Sequence, residues 1–384
     1  MDCVPARIHL DRAVGTHGLS ARARENAFGG GRRAGHRRCR SSPRSRISGR
    51  SRLPAEGGNP LSEIRIGILG AGGMGRTHAR HYAKIPEVRL TIYDVEDAAA
   101  RALADAHGAD VARSFEDLLS AVDAVDVCLP TPLHREVVLT TLRAQKPTLC
   151  EKPLARTVQE CAELVEESER SGVLLMPAQV VRFFPEFSRA HSLVEQGTLG
   201  QIAAVRTRRG GGQPKGAGGW FTNPELSGGV FVDLAVHDFD WILWTFGSVE
   251  RVYAQCLTGK RQDLDYGLAT LTLENGALAH VEATWADPGG FRVTFEIAGS
   301  EGFVEYDSRM RATLRLATAD GSRSESNLAP MDDPYYRQLL AFVRAVKGEE
   351  PPPVTALEGA RAVAVAEAAL ESARTGKPVV PARL

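Results

Sequence analysis

From Ile64 onward, short runs of apolar residues alternate with longer stretches in which apolar residues recur every three or four positions. Short continuous runs suit strands buried on both faces, and the longer rhythm suits helices with one buried stripe. IRIGILG, VRLTIYD, ADVARS, AVDVCLP, KPTLC and VLLMPAQV read as six strands. Helices are expected between them, from about Gly73 to Lys84, near Glu96 to Ala106, and over FEDLLS, HREVVLTTLRA and TVQECAELVEESERSG. Such alternation, with right-handed crossovers, builds a doubly wound parallel sheet of the Rossmann kind over residues 63–182.

After about Arg182 the rhythm changes. IAAVRTRR, VERVYAQCL, YGLATLTL, ALAHVEATW, RVTFEIAG and GFVEYD follow one another closely, with Asn275-Gly276 marking a two-residue hairpin turn. PYYRQLLAFVRAVKG and ALEGARAVAVAEAALESARTG close the chain as helices. Residues 183–384 are therefore expected to form an α+β domain with a mostly antiparallel sheet, and the whole chain is α/β in class. One helix within it stands out. SGGVFVDLAVHDFDWILW is apolar almost all the way round, yet it carries Asp233, His237, Asp238 and Asp240. At about 100° per residue, Asp233, His237 and Asp240 share one stripe of a continuous helix, while Asp238 points roughly 100° away. A solvated stripe and a functional one both fit; no third ligand accompanies the His–Asp pair, so no metal is expected.

Composition adds one asymmetry. The chain balances 47 Lys and Arg against 47 Asp and Glu, but its first 60 residues hold thirteen Arg, no Lys and four acids. That segment lacks apolar periodicity, so 1–62 is expected to be disordered. A nucleic-acid arm, a targeting peptide and translation from a misplaced start are the readings considered. The absence of lysine, which fits GC-rich coding, favours the misplaced start over nucleic-acid binding. None of the six cysteines has metal-ligand spacing, which fits a reduced, cytoplasmic protein, and no apolar run reaches membrane-spanning length.

GILGAGGMGRTH places Gly70, Gly72 and Gly75 in GxGxxG order between a strand and a helix. The first permits a tight turn, the second lets backbone approach a pyrophosphate, and the third lets helix and strand pack closely. Gly73 and Met74 lie in the same turn, and Asp94 ends the second strand, where a carboxylate accepts from ribose hydroxyls. No Arg follows Asp94 to receive a 2′-phosphate, so NAD is favoured over NADP. CEKPLA sets Glu151 and Lys152 at the carboxyl end of the fifth strand, beside the expected nicotinamide. His78 and His81, on the first crossover helix, read as packing or surface residues; His280 and Glu282 read as structural. RGGGQPKGAGG reads as a mobile loop, with a substrate lid as the sharper version.

Together these residues resemble the glucose–fructose oxidoreductase / inositol dehydrogenase / rhizopine catabolism (Gfo/Idh/MocA) family from about Ile64 to the C-terminus. The likeness rests on GxGxxGxxH at Gly70 to His78, PTPLH at Pro130 to His134, EKP at Glu151 to Pro153, and GGxxxDxxxHxxD at Gly228 to Asp240. It implies an NAD(P)-dependent dehydrogenase acting on a secondary hydroxyl of a cyclic polyol, sugar or sugar derivative. By the same resemblance, Lys152, Asp233 and His237 line the substrate site: His237 as base, Lys152 stabilising the developing alkoxide, Asp233 orienting His237 or binding a neighbouring hydroxyl. Pro130, Thr131 and His134 are implied to lie near the cofactor, Lys152-Pro153 to be cis, and the antiparallel sheet to mediate a homodimer or homotetramer. Arg182, Asp240 and Trp285 are candidate substrate contacts, and Gln145-Lys146 stands where Gly-Lys is usual. Two other readings are a family member using tightly held NAD for transient oxidation, and a non-enzymatic NAD-binding sensor.

Overall fold

The computed structural model describes residues 63–214, 217–257, 265–310, 314–325 and 333–384. The Arg-rich segment and part of the glycine-rich loop fall outside the described residues. The first half runs β1 (Ile64–Leu69), α1 (Gly73–Tyr82), β2 (Val88–Tyr93), α2 (Asp97–His107), β3 (Asp110–Val111), α3 (Phe115–Ala121), β4 (Ala124–Val127), α4 (His134–Arg143), β5 (Thr148–Glu151), α5 (Val158–Ser171) and β6 (Leu175–Ala178). Its six strands are parallel in the order β3-β2-β1-β4-β5-β6. Every residue of β4, β5 and β6 is buried, as strands covered by helices on both faces must be. The order reverses between β1 and β4, which opens a crevice above their carboxyl ends. Local signals agree: Thr157 and Glu160 form a capping box at the start of α5, and Gly172 ends that helix in the left-handed region. Gln145, after α4, is the non-glycine residue with positive φ among the described residues, at 58°.

The second half runs α6 (Pro185–Glu195), β7 (Ile202–Gly210), α7 (Pro224–Ser227), α8 (Gly229–Asp233), α9 (Val236–Phe246), β8 (Val249–Cys256), β9 (Tyr266–Leu273), β10 (Leu278–Thr284), β11 (Arg292–Gly299), β12 (Gly302–Asp307), β13 (Leu314–Thr318), β14 (Gly321–Glu325), α10 (Pro334–Val346) and α11 (Ala356–Thr375). Its eight strands order as β14-β13-β12-β11-β7-β10-β9-β8, antiparallel except for the β7–β10 pair. Alternate residues of β8, β9 and β10 face inward, where Val252, Ala269, Leu271, Ala279 and Val281 meet Phe231, Phe239 and Trp241 of α8 and α9. Burial of each large side chain of this kind contributes roughly 1.5–3 kcal/mol. Leu339, Phe342, Val343 and Val354 return to the nucleotide-side core, so packing crosses the sequence boundary at residue 182.

Three expectations need correction. The β9–β10 hairpin closes on Leu273 and Ala277, giving a three-residue loop of Glu274, Asn275 and Gly276. Gly276 alone takes positive φ, at 86°, whereas the expected two-residue turn needs it at both central residues. Second, the stretch carrying Asp233 and His237 is two helices, not one. At the break the amides of Leu234 and Ala235 both donate to Val230 O, at 3.1 and 2.8 Å, and the His237 amide turns to Leu234 O at 3.4 Å. The Asp233 carbonyl, which His237 N–H would satisfy in a continuous helix, is thereby released.

Third, Arg182 and Asp240 do not lie open as substrate contacts. Arg182 Nε and Nη2 donate to the two Asp240 carboxylate oxygens at 2.8 and 2.7 Å, and Nη1 donates to Glu358 Oε1 at 2.8 Å. Both side chains of the central pair are almost wholly enclosed. Asp238 is equally buried and accepts from Arg209 Nε at 2.7 Å. The acids on α9 anchor the helix to its neighbours.

Removing one partner of such a pair leaves the other charge buried and unpaired. Asp240→Ala should therefore lower stability by about 3–5 kcal/mol in urea unfolding, with Arg182→Leu in the same chain recovering part of the loss; a cost below about 1 kcal/mol would show that the pair contributes little. Gln145→Gly should instead raise stability by roughly 0.5–1 kcal/mol, the left-handed penalty less the added unfolded-state freedom. An unchanged or lowered unfolding midpoint would contradict that.

Candidate active site

The crevice begins at the glycine turn. Gly70 has φ of 103°, and a Cβ there would meet Cys128 O at 2.6 Å; at Gly75 it would meet Gly70 O at 1.9 Å. Those two glycines are required by packing. At Gly72 and Gly73 an added Cβ meets nothing within 4 Å, and both are exposed, so the first turn of α1 presents bare backbone to the crevice. No side chain caps its amides and no acid lies in that turn, which leaves the helix N-terminus suited to an anionic pyrophosphate. Met74 is half-buried alongside, and Arg76 Nη1 donates to Ala71 O at 2.9 Å, bracing the turn. Asp94 Oδ2 accepts from Ala71 N at 2.7 Å and Oδ1 from Glu96 N at 2.9 Å, which fixes the carboxylate where β2 ends. These features fit a dinucleotide.

After β4, Pro130 leads into a short 3₁₀ turn, Thr131–Leu133, and Thr131 is buried. His134 is also buried; its Nδ1 and Nε2 lie 2.8 and 2.9 Å from Pro153 O and Leu129 O. Its ring thus ties the β4 exit to the β5 exit. Burial pushes its pKa down.

Lys152 follows β5, and its peptide bond to Pro153 is cis. Its Nζ donates to the released Asp233 carbonyl at 2.6 Å and to Asp233 Oδ1 at 3.3 Å. Trp285 Nε1 donates to the other oxygen, Asp233 Oδ2, at 3.2 Å. Three of the expected residues therefore meet at one point. His237 lies in the first turn of α9, and its Nδ1 is buried without a hydrogen-bond partner. Burial lowers its pKa well below 6.5, and the positive charges of Lys152 and Arg209 lower it further. The imidazole is consequently neutral, with a lone pair to offer.

Behind Lys152, Glu151, which the sequence placed beside the cofactor, leads to His78, Asp126 and Cys128, which sequence reasoning did not place in a site. Glu151 Oε2 accepts from Lys152 N at 3.1 Å, and Glu151 Oε1 lies 3.2 Å from His78 Nε2. His78 Nδ1 lies 2.8 Å from Asp126 Oδ2, with Cys128 Sγ 3.4 Å from the same nitrogen. One signal was available: Asp126 is a carboxylate in the middle of AVDV, a strand predicted to be buried on both faces. His280 and Glu282 bond within the sheet, to Thr270 and Arg208.

Residues 64–179 match the oxidoreductase family, NAD-binding Rossmann fold, of Gfo/Idh/MocA proteins, and residues 191–380 match that family's C-terminal alpha/beta domain. Myo-inositol 2-dehydrogenase of Thermotoga maritima is 30% identical over 325 residues, which cover 80% of this chain and 96% of that one. D-xylose 1-dehydrogenase (NADP(+)) 2 of Haloferax volcanii is 30% identical over 328 residues, covering 82% and 99%. Among solved structures, GenD2 from gentamicin A biosynthesis, in complex with NAD, superposes with a TM-score of 0.74 at 25% identity, covering 86% of this chain and all of that one. With residues 64–179 and 191–380 matched in order to the two domains of one family, this chain belongs to the Gfo/Idh/MocA family of NAD-binding oxidoreductases.

Proposed function

We propose that the protein oxidises a secondary hydroxyl of a cyclic polyol, sugar or sugar derivative, with Lys152, Asp233 and His237 as its acid–base set. The observation that carries this reading is the Lys152 ammonium seated on Asp233 one turn before a neutral His237 whose Nδ1 has no partner. Oxidising a carbinol removes a hydride from carbon and a proton from oxygen; NAD, when bound, accepts the hydride. His237 takes the proton, which its neutral state permits without prior deprotonation. Lys152 donates to the same oxygen and stabilises charge that develops there. Asp233 holds that ammonium with both carbonyl and carboxylate, and Trp285 fixes the carboxylate in turn. Relatives named as inositol and xylose dehydrogenases support the substrate class. For the cofactor, Asp94 followed by Glu96 and Asp97 disfavours a 2′-phosphate, which supports NAD over NADP.

The outer face of the second sheet exposes Tyr253, Leu257, Leu268 and Leu278, and we infer that this face joins subunits into a homodimer or homotetramer.

A panel of cyclic polyols and sugars should yield NADH with at least one member. Lys152→Ala should lower kcat/KM on it by about 100-fold or more while NAD affinity changes little. Equal activity of variant and wild type would remove Lys152 from the chemistry. NAD retained through purification with no net NADH from any member would replace the dehydrogenase reading with transient oxidation. The pH dependence is also fixed in sign. His237 works deprotonated and its pKa lies well below 6.5, so kcat/KM for oxidation should show no acid limb between neutrality and pH 6.5 and should fall only below it. An acid limb at or above 6.5, lost in His237→Gln, would contradict the assignment.

A further inference from the structure

A line of charged side chains runs through the interior behind Lys152. Asp126 lies on β4, His78 on α1 and Glu151 at the end of β5; the first two are wholly enclosed and the third is 6% exposed. The imidazole sits between the two carboxylates, 2.8 Å from Asp126 on one nitrogen and 3.2 Å from Glu151 on the other. The Nδ1 contact with Asp126 is a hydrogen bond, whereas Nε2 and Glu151 Oε1 face each other at ion-pair distance without hydrogen-bond alignment. One positive charge between two buried negative ones satisfies the requirement that enclosed charges be paired. Burial alone would lower the pKa of His78, but the Asp126 carboxylate more than reverses this and raises it well above 6.5. Burial alone would raise that of Glu151, but His78, and then Lys152, hold it below the ordinary carboxylate range. Tyr82 of α1 and Tyr335 of α10 close the surroundings, the Tyr335 ring lying 6.2 Å from His78.

At its far end the chain reaches the lysine. Glu151 Oε2 accepts the backbone N–H of Lys152, so the position of this carboxylate sets where the lysine leaves the strand. We propose that Asp126 and His78 are positioning residues: the Asp126–His78–Glu151 chain holds Glu151 charged and fixed at the root of Lys152, and so presents the lysine to Asp233 and the reacting hydroxyl. This rests on the role assigned above to Lys152. His78, Asp126 and Cys128 also have the donor types of a metal site, with ligand atoms within 4.8 Å of one another. Their spacing argues for the closed chain instead: 2.8 Å between His78 Nδ1 and Asp126 Oδ2 is hydrogen-bond length, shorter than the roughly 3.3 Å between two ligands each about 2.0 Å from a tetrahedral zinc.

The test compares Asp126→Asn, His78→Gln and Cys128→Ser in the NAD-loaded enzyme, with Lys152→Ala assayed alongside. Asp126→Asn and His78→Gln should each lower kcat about 10- to 100-fold, with the Kd for NAD and the substrate KM within about threefold of wild type. Asp126→Asn should also acquire an alkaline limb in its kcat profile, because His78 without its carboxylate partner loses its proton in the working range. Wild type and His78→Gln should lack that limb, a pattern that a merely structural loss does not produce. Cys128→Ser, which keeps a donor toward Asp126, should retain kcat. If Asp126→Asn does not fold, His78→Gln carries the same expectation for kcat. Wild-type kcat and pH profile in these variants while Lys152→Ala is inactive would overturn the proposal and leave the lysine's role standing; activity in Lys152→Ala would remove that role instead. Stoichiometric zinc in the purified protein, with Cys128→Ser as impaired as Asp126→Asn, would overturn the proposal in favour of a metal site.

Discussion

Everything around the crevice depends on a backbone carbonyl that a helix gives up. Had α8 and α9 been continuous, the Asp233 carbonyl would accept from His237 N–H inside the helix. The break at Leu234 and Ala235 diverts that amide to Leu234 O, and Lys152 takes the freed acceptor at 2.6 Å. The contact joins the end of a parallel strand to an element packed on the antiparallel sheet, so residues from two cores meet in one site. A buried carbonyl without a partner would cost free energy comparable to a lost hydrogen bond. The lysine therefore satisfies the broken helix while the broken helix orients the lysine.

Much of this was legible in the sequence. The parallel sheet followed from continuous apolar runs, because strands covered on both faces have no polar positions to spare. The outer sheet followed from alternation, and Gly70, Gly72 and Gly75 from their spacing between strand and helix. Local periodicity could not show the helix break, since a 3.6-residue rhythm continues through Leu234 and Ala235 whether or not the hydrogen bonds do. Nor could it pair Asp240 with Arg182, 58 positions away, or show that both are enclosed and bonded to each other. α6, β13 and β14 were not among the expected elements. Asp126 was the most informative omission: its neighbours in AVDV read as core, and the conflict between that setting and a carboxylate was itself the signal.

The buried charges divide by what they hold. Arg182 with Asp240 and Glu358, and Arg209 with Asp238, join α9 to neighbouring elements through bonds whose partners are all protein groups. Asp126, His78 and Glu151 form a third set, whose last member reaches a residue facing the crevice. Buried pairs are a poor source of net stability compared with well-packed apolar side chains. Their use here is better understood as location, since each fixes a helix or strand end that the crevice depends on.

That division explains the state of His237. Four polar side chains stand on the apolar stretch from Val230 to Trp241, and Asp233, Asp238 and Asp240 each have a cationic partner. His237 has none at Nδ1. A carboxylate beside it would raise its pKa and make the imidazole cationic near neutrality, unfit to receive a proton. Instead the nearby acids are engaged by Lys152, Arg209 and Arg182, while burial and the two closest cations keep the ring neutral. The unsatisfied Nδ1 is then what remains where each neighbouring acid is engaged by a cation of its own.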